Sequence, residues 1–370
     1  MLSVRIKTRG ISKLSEGVNP SPAAMEGQGG YNRNSQVQAG GVSPAIPMLE
    51  RAAQAGSLPA EPQPILIADY GCSEGRNSLA PMRAAIKILR DRVGPGRSIA
   101  VVHTDLPVND FTVLFETLLS SPESYLRNDS AVYASAVGRS FYGQILPAES
   151  VTVGWSSWAV QWLSQTPTII PDHVHISLTS DAAVRAAFLE QSRQDWQNFL
   201  IARGRELRPG GALAVVTMAL DDHGEFGYKP LSEAMYQTLV EMVNDGFNSA
   251  QELRGMCIPT VGRSRADFLA PFAEGTFHGL RVEEAEVFYS PDPFWSDYQQ
   301  NGNAQEFGGR WAGFSRASVF PTFARCLVDR NSAHTTEFVA RLEAGMVARL
   351  AAEPEPMVIP LGRIFLAKEG

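Results

Sequence analysis

Short apolar runs alternate with amphipathic helical patterns between Ile65 and Leu220, and this alternation constrains the fold more than any other feature of the chain. The apolar runs predict buried strands, and apolar residues at helical spacing follow most of them. Strands that alternate with helices build a mostly parallel sheet that is covered on both faces. The sequence therefore predicts an α/β fold with a doubly wound, Rossmann-like sheet. The predicted strands are Pro64–Asp69, Ile99–His103, Val132–Val137, Val151–Gly154 and Ala212–Met218, with Arg281–Tyr289 and Ile364–Ala367 closing the sheet.

The alternation breaks down in the second half of the chain, which divides it into predicted units. Residues 29–220 form the α/β core. Residues 221–329 are predicted to form a largely helical cap, inserted before the sheet is complete, because glycine, proline and aromatic residues interrupt the helical stretches there. Residues 330–370 supply a C-terminal helix and the closing strand of the core. Residues 1–28 are predicted to be a disordered tail, since Gly, Pro, Ser and Asn are frequent there.

Composition and charge exclude several classes of function. The 370 residues include 32 basic and 39 acidic side chains, so the chain lacks the broad basic surface that nucleic-acid binding requires. No stretch approaches the ~20 apolar residues of a membrane span, and no apolar secretory signal follows Met1, which predicts a cytoplasmic location. Three scattered cysteines and two alternating histidines offer neither a disulfide framework nor a metal site, so no metal is expected. These residues are Cys72, Cys257, Cys326, His173 and His175.

Acidic residues and glycines follow two successive predicted strands. Asp69 and Gly71 end the first strand, and Asp105 follows the second. Glycine lets a backbone approach a ligand closely, and a carboxylate at this edge can accept hydrogen bonds from ribose hydroxyls. Each feature alone also suits an ordinary strand-to-helix turn or a helix cap. Their joint placement favours a nucleoside-containing ligand, while the absence of GxGxxG counts against a nicotinamide dehydrogenase.

Aromatic residues are concentrated in a short region after the third predicted strand. They are Phe141, Tyr142, Trp155, Trp158 and Trp162. The spacing of four between Trp158 and Trp162 predicts that both rings lie on one helix face. Core packing and a ligand pocket explain such a concentration equally well, and the indole N–H of a pocket tryptophan can hold a carboxylate oxygen.

Five segments, in this order, resemble the SABATH carboxyl methyltransferases, which are best known from plant enzymes that act on salicylate, benzoate and jasmonate. The turn at 207–211, LRPGG, is also frequent ahead of the fifth strand in methyltransferases that use S-adenosylmethionine (SAM). The resemblance implies the class I methyltransferase fold, SAM as cofactor, a homodimer, and a small carboxylic acid as substrate. The segments are YNRNSQVQ at 31–38 (family YAxNSxxQ), ADYGCSEGRN at 68–77 (ADLGCSSGPN), TDLPVNDF at 104–111 (NDLPGNDF), GRSFYG at 138–143 (PGSFYG) and WSSWAVQWLSQ at 155–165 (HSSYSLHWLSQ).

The same resemblance implies a role for each matched residue. Gln38 and Trp162 are the implied catalytic residues, which donate hydrogen bonds to the substrate carboxylate and aim one oxygen at the sulfonium methyl. A carboxylate is already ionised at pH 7, so the reaction needs alignment more than a catalytic acid or base. The implied cofactor residues are Tyr31, Ser35, Asp69, Gly71 and Asn77 at the methionine end, Asp105 at the ribose, and Leu106, Ser140 and Phe141 around the adenine.

Departures from the family pattern concern the substrate. Trp158 stands where the family has tyrosine, Gln161 where it has histidine or methionine, and Glu26 where some members have lysine. Ser232, with Leu231 beside it, falls where the salicylate enzymes have a tryptophan that sandwiches the ring. A longer pocket is expected without that ring, which favours a fatty or otherwise elongated acid, as in the mycobacterial fatty-acid O-methyltransferases of this family. An aryl acid, a nitrogen or hydroxyl acceptor, and a non-catalytic SAM-binding protein are the alternatives.

Overall fold

The computed structural model describes residues 23–370, and within them seven strands form one sheet. The strand order is β3-β2-β1-β4-β5-β7-β6. Strands β1 to β5 are parallel, and β7 runs antiparallel to both β5 and β6. The order reverses between β1 and β4, which is where open α/β sheets bind ligands beyond the carboxyl ends of their strands. The strands are β1 Ile65–Tyr70, β2 Ile99–Asp105, β3 Val132–Gly138, β4 Val151–Ser157, β5 Leu207–Met218, β6 Leu280–Tyr289 and β7 Pro360–Lys368.

Two apolar clusters cover the two faces of this sheet. Because successive side chains of a strand point to opposite faces, Ala212, Ala214 and Val216 of β5 join one cluster, whereas Leu213 and Val215 join the other. The doubly wound α/β fold predicted from the alternating pattern is confirmed. The helices are α1 Gly30–Asn34, α2 Gln36–Val42, α3 Ile46–Ala55, α4 Leu79–Val93, α5 Phe111–Ser120, α6 Ala182–Glu206, α7 Lys229–Asn244, α8 Ala250–Gly255, α9 Arg265–Leu269, α10 Pro293–Asn301, α11 Ala304–Ser318, α12 Phe320–Ala324 and α13 Ser332–Ala352.

The helices of the second half pack on one another and form a cap. Helix α13 lies against α11 and α7, so it packs with the cap, whereas the sequence predicts that residues 330–370 belong to the core. Conversely, β6 lies within 221–329 but pairs along its whole length with β7. Helix α13 packs in this way because it buries an apolar stripe formed by Phe338, Leu342 and Met346. The units that pack together therefore differ from the units predicted along the chain.

The N-terminal segment contacts the cap. Of the predicted tail 1–28, residues 1–22 lie outside the described part of the chain, whereas residues 23–28 are placed against α11 and α12. Glu26 N donates to Ala317 O at 2.8 Å, and the Glu26 carboxylate pairs with Arg316 at 2.9 Å. Sequence composition could not predict this contact, since its partners lie nearly 300 residues away. Within residues 23–370, none of the helices combines the length and the apolar character that crossing a bilayer needs.

Candidate active site

Two cavities adjoin at the carboxyl ends of β1, β2 and β4. The first, here the strand-edge cavity, spans about 990 Å³, part of which is open to solvent, and includes Gly71, Asp105 and Phe141 in its lining. The second, here the cap cavity, spans about 620 Å³, also partly open, and extends between the sheet and helices α7 and α11. A chemical group that is transferred from a ligand in one cavity to a ligand in the other must cross the boundary that the two cavities share. Four residues line both cavities, namely Met25, Tyr31, Trp158 and Trp162.

The turn after β1 forms the floor of the strand-edge cavity. Gly71 has a φ of 89°, and a Cβ atom there would lie 2.4 Å from the Cβ of Ala159. The amides of Gly71 and Cys72 both donate to Thr104 O, at 2.8 and 3.0 Å, which fixes the turn against β2. Only glycine suits this position, because it combines a left-handed backbone with a close approach.

Asp105 presents an oriented carboxylate to the same cavity. Its Oδ2 accepts the Ser73 amide and its Oδ1 accepts the Leu106 amide, both at 2.7 Å. Burial raises the pKa of Asp105 to about 6, although these two backbone hydrogen bonds lower it. Each oxygen keeps a free lone pair, so the carboxylate can accept two further hydrogen bonds from a vicinal diol. The hydroxyl of Ser73, which also lines the cavity, is buried and has no partner among residues 23–370.

Asp69 lies beneath the cavity and is absent from its lining. It accepts a hydrogen bond from Ser78 Oγ at 2.6 Å and pairs with His103 Nδ1 at 2.8 Å. The other ring nitrogen of His103 lies 2.7 Å from the Tyr125 hydroxyl. This buried chain supports the turn from below, so the geometry gives Asp69 a positioning role rather than direct contact with a ligand.

Two further residues predicted for the cofactor also lie behind the lining. Ser35 is 2% exposed and precedes α2, and Asn77 is half-buried just before α4. The remaining predicted cofactor residues line the strand-edge cavity together. They are Tyr31, Gly71, Asp105, Leu106, Ser140 and Phe141.

Glu74 anchors the segment that carries Tyr31. Its carboxylate accepts the amides of Gly29 at 2.8 Å and Asn32 at 2.9 Å, so it satisfies free N–H groups at the start of α1. Burial raises the pKa of this carboxyl. The SABATH motif quoted above has serine here, and nothing in the sequence indicated that the acid reaches back to α1. Glu74 thereby holds Tyr31 over both cavities.

A buried ion pair on α6 holds the loop that carries Phe141. Arg203 and Glu206 are both fully buried and pair at 2.9 Å. Arg203 donates to Phe141 O at 2.7 Å and to Gly143 O at 3.0 Å, and Glu206 accepts the Leu146 amide at 3.0 Å. Sequence reasoning missed this pair, because two charges three residues apart on a helix usually form an exposed pair.

The loop after β4 carries both tryptophans, and the prediction that they share a helix face is wrong. Trp158 has a left-handed φ of 52°, and Trp162 forms an isolated bridge with Thr260. Two carbonyls of the loop, those of Val160 and Trp162, are bonded by side chains from other segments. Arg263 donates to Val160 O at 2.7 Å, and the Tyr142 hydroxyl donates to the carbonyls of Val160 and Trp162.

The predicted substrate residues all line the cap cavity. Gln161 is tied into the structure, because its Nε2 donates to Trp158 O at 2.7 Å and its Oε1 accepts the Thr217 hydroxyl at 2.8 Å. By contrast, Gln38 Oε1 and Trp158 Nε1 are buried and have no partner among residues 23–370. The geometry therefore leaves the Trp158 indole N–H free to donate to a ligand, and no described group bonds the Gln38 side-chain oxygen. The six residues are Gln38, Trp158, Gln161, Trp162, Leu231 and Ser232.

His175 is the histidine in the lining of the cap cavity. His175 Nδ1 accepts the Ser177 amide at 3.2 Å, and its Nε2 lies 3.1 Å from Thr260 Oγ1. Burial lowers its pKa to about 3, so the ring is neutral at physiological pH. Neighbouring His173 packs against Tyr236 and is also neutral, since burial lowers its pKa to about 4. Among residues 23–370, no group of three or more His, Cys, Asp or Glu side chains is arranged to hold a metal ion.

Known proteins are similar to this chain in sequence and in fold. The chain is 26% identical to the salicylate carboxymethyltransferase of Clarkia breweri over 341 residues, which cover 85% of this chain and 93% of that enzyme. It is 28% identical over 248 residues to the methyltransferase LUC1 of a Fusarium species, and spans only 64% of that relative's length. A loganic acid methyltransferase with SAH has the same fold, with a TM-score of 0.75 at 22% identity, covering 94% of this chain and 99% of its own.

A whole family also matches most of the chain. A family model for SAM-dependent carboxyl methyltransferases matches residues 22–359, which include the strand-edge cavity, the cap cavity and all residues at their boundary. The unpaired Ser73 hydroxyl, the Asp105 carboxylate and the close approach at Gly71 fit a nucleoside cofactor in the strand-edge cavity. The chain therefore belongs to the SABATH family of SAM-dependent carboxyl methyltransferases.

Proposed function

We propose that this protein methylates the carboxylate of a small acid and releases a methyl ester and S-adenosylhomocysteine. The observation that carries the proposal is the boundary between the two cavities, where Tyr31, Trp158 and Trp162 face both. Bound SAM supplies a methyl group activated by its sulfonium. A carboxylate oxygen forms the bond to the methyl carbon as the carbon–sulfur bond breaks, and the electron pair stays on sulfur.

One set of residues holds the cofactor, and a second set holds the acid. In this proposal Asp105 accepts the ribose hydroxyls, and Ser140 and Phe141 border the adenine. Gln38 and Trp162 donate hydrogen bonds to the carboxylate and set its direction of attack. Alignment of this kind supplies most of the rate enhancement when both reactants are already activated.

The chemistry of the cap cavity favours an acceptor that arrives ionised. No Asp, Glu, Lys or Arg of the described chain lines it, and the one histidine of the lining has both nitrogens engaged and a lowered pKa. A phenol or alcohol acceptor needs a base to remove its proton, whereas a carboxylate needs none. The absence of a basic side chain in this lining therefore supports the carboxylate over the hydroxyl alternative.

We further propose an elongated acid, fatty acids included, as the substrate. The support is Ser232, a small residue in the cap-cavity wall where a ring-sandwiching tryptophan is expected in salicylate enzymes. An aryl acid is the second candidate, because relatives are named as salicylate and benzoic acid/salicylic acid carboxyl methyltransferases. The homodimer and the cytoplasmic location remain proposals that rest on resemblance and composition.

A turnover screen tests the substrate. Purified protein and SAM would be incubated with saturated acids of graded chain length, benzoate, salicylate and phenols, and products identified by mass spectrometry. Methyl esters of aliphatic acids are expected. Esters of aryl acids alone would reject the elongated substrate but keep the reaction, and methyl ethers of phenols without any ester would reject the reaction itself.

The raised pKa of Asp105 predicts that cofactor binding depends on pH. Ribose hydroxyls need the ionised carboxylate, and the ligand-free carboxyl has a pKa of about 6. Affinity for S-adenosylhomocysteine should therefore be constant above pH 7 and about tenfold weaker at pH 5, measured by calorimetry. Unfolding does not explain such a loss, because a folded-state pKa above the unfolded value makes this group favour the folded state as the pH falls. Asp105→Asn should bind weakly and show little pH dependence; an unchanged pH profile in that variant would contradict the assignment.

Adjacent glycines of α2 offer a matched test of the Trp158 position. A Cβ atom on Gly41 would lie 2.6 Å from Trp158 Cζ2 and 2.7 Å from Leu361 Cδ1, whereas one on Gly40 would meet no atom of residues 23–370 within 4 Å. Gly41→Ala should displace the indole, lower kcat/KM about tenfold and cost about 1–3 kcal/mol of stability. Gly40→Ala should leave the activity unchanged and stabilise α2 slightly. Equal activities of the two variants, measured beside thermal melting, would show that the Trp158 position is unimportant.

A further inference from the structure

Two hydroxyl groups of the cap cavity have no hydrogen-bond partner within the described chain. They belong to Tyr228, which is 3% exposed, and Ser315, which is fully buried. Both residues line the cap cavity and neither lines the strand-edge cavity. A buried hydroxyl without a partner costs free energy, so such groups point to a bound partner that completes them.

The fold holds both groups in place without satisfying them. Tyr228 has a left-handed φ of 56°, and its ring stacks on Phe314 and meets Trp311 edge-on, at centroid distances of 6.0 and 5.9 Å. Ser315 belongs to α11, where serine usually bonds back to a helical carbonyl. Ser318 of the same helix does so, to Phe314 O at 2.7 Å, but Ser315 does not.

Most other polar groups of the cavity have a partner or a place near the cofactor. Gln161, His175 and Thr260 bond to protein. Gln38 is assigned above to the substrate carboxylate, and Trp158, whose indole Nε1 also has no partner within residues 23–370, lies at the boundary with the strand-edge cavity. Tyr228 and Ser315 are therefore left for a different part of the same ligand. No charged side chain of the described residues lines the cavity, so a second ionised group on the ligand would be buried without a counter-charge.

We propose that the acid substrate carries a neutral hydrogen-bonding group, a hydroxyl or a ketone, which Tyr228 and Ser315 bind in the part of the cap cavity away from the cofactor. This inference rests on the proposed carboxyl methylation and narrows its substrate from any elongated acid to an oxygenated one. Tyr228 and Ser315 are then specificity residues. They select the substrate without touching the reacting atoms.

The test compares acids that carry a hydroxyl or keto group with the parent acids, which have the same carbon skeleton without that group. One set holds saturated acids of equal chain length, each with one hydroxyl or keto group at a different position, and a second set holds hydroxylated aryl acids. The wild-type enzyme should favour at least one oxygenated acid over its parent by about tenfold or more in kcat/KM. Tyr228→Phe and Ser315→Ala should each bring that ratio toward one while leaving kcat/KM for the parent acid nearly unchanged.

Ser318→Ala is the matched control, since Ser318 lines the same cavity from the same helix but its hydroxyl is already satisfied. It should leave the ratio unchanged. Thermal melting checks that the variants fold, and no loss is expected where an unpaired hydroxyl is removed. A wild-type ratio near one across both sets, with parent acids methylated, would overturn the inference and imply that only water meets these hydroxyls. No ester from any acid despite bound SAM would instead reject the proposed function.

Discussion

Replacing Gln38 with alanine should lower kcat/KM for the acid about 100-fold, while the affinity for S-adenosylhomocysteine changes less than twofold. Gln38 lines the cap cavity but not the strand-edge cavity, so its loss removes a contact to the carboxylate without disturbing the cofactor. A misdirected carboxylate loses the alignment that drives the transfer. Steady-state kinetics and calorimetry measure the two effects separately.

Gln36 provides the control for this prediction. It lies on the same helix, is exposed, and accepts a hydrogen bond from Arg310 at 2.8 Å. Gln36→Ala should leave both constants unchanged. A Gln38→Ala enzyme within threefold of wild type would remove Gln38 from the carboxylate site, and a parallel loss of cofactor affinity would indicate a structural role instead.

Replacing Arg203 with methionine should destabilise the protein by about 3–5 kcal/mol and weaken cofactor binding. The change leaves Glu206 charged and buried without its cation, which is costly. It also frees the carbonyls of Phe141 and Gly143, so the loop beside the strand-edge cavity loses its anchor. Urea denaturation followed by tryptophan fluorescence measures the free energy of unfolding, and calorimetry measures the affinity.

The same helix carries a surface pair with the same spacing. Glu190 and Arg193 are exposed, and their pairing is screened by water. Arg193→Met should change neither stability nor affinity. Similar unfolding curves for Arg203→Met and wild type would show that the buried pair is dispensable.

The strands were predictable because buried parallel strands are uninterrupted apolar runs. Every predicted strand from Pro64 to Met218 is present, and the two closing strands, β6 and β7, complete the sheet. Local patterns specify such strands directly, because each one must be apolar along its length to lie between two helical layers. The order of the strands along the sheet is then the one implied by the class I methyltransferase fold.

Features set by distant contacts could not be predicted. The spacing of Trp158 and Trp162 suits a helix, but Thr260 and Arg263 from another segment fix the loop instead. Likewise, Glu74 accepts amides that lie over 40 residues upstream, which no local pattern around it indicates. In the cap, where the resemblance is loose, no motif pointed to Tyr228 or Ser315.

The position of the transferred methyl group tests the central claim most directly. A hydroxy acid would be incubated with the protein and SAM labelled with carbon-13 in its methyl group, and the product examined by NMR spectroscopy. Both possible acceptors are then present in one molecule and compete for one methyl group. We predict that the label appears only in a methyl ester, because the cap cavity offers no base to ionise a hydroxyl. A labelled methyl ether with no ester would contradict carboxyl methylation.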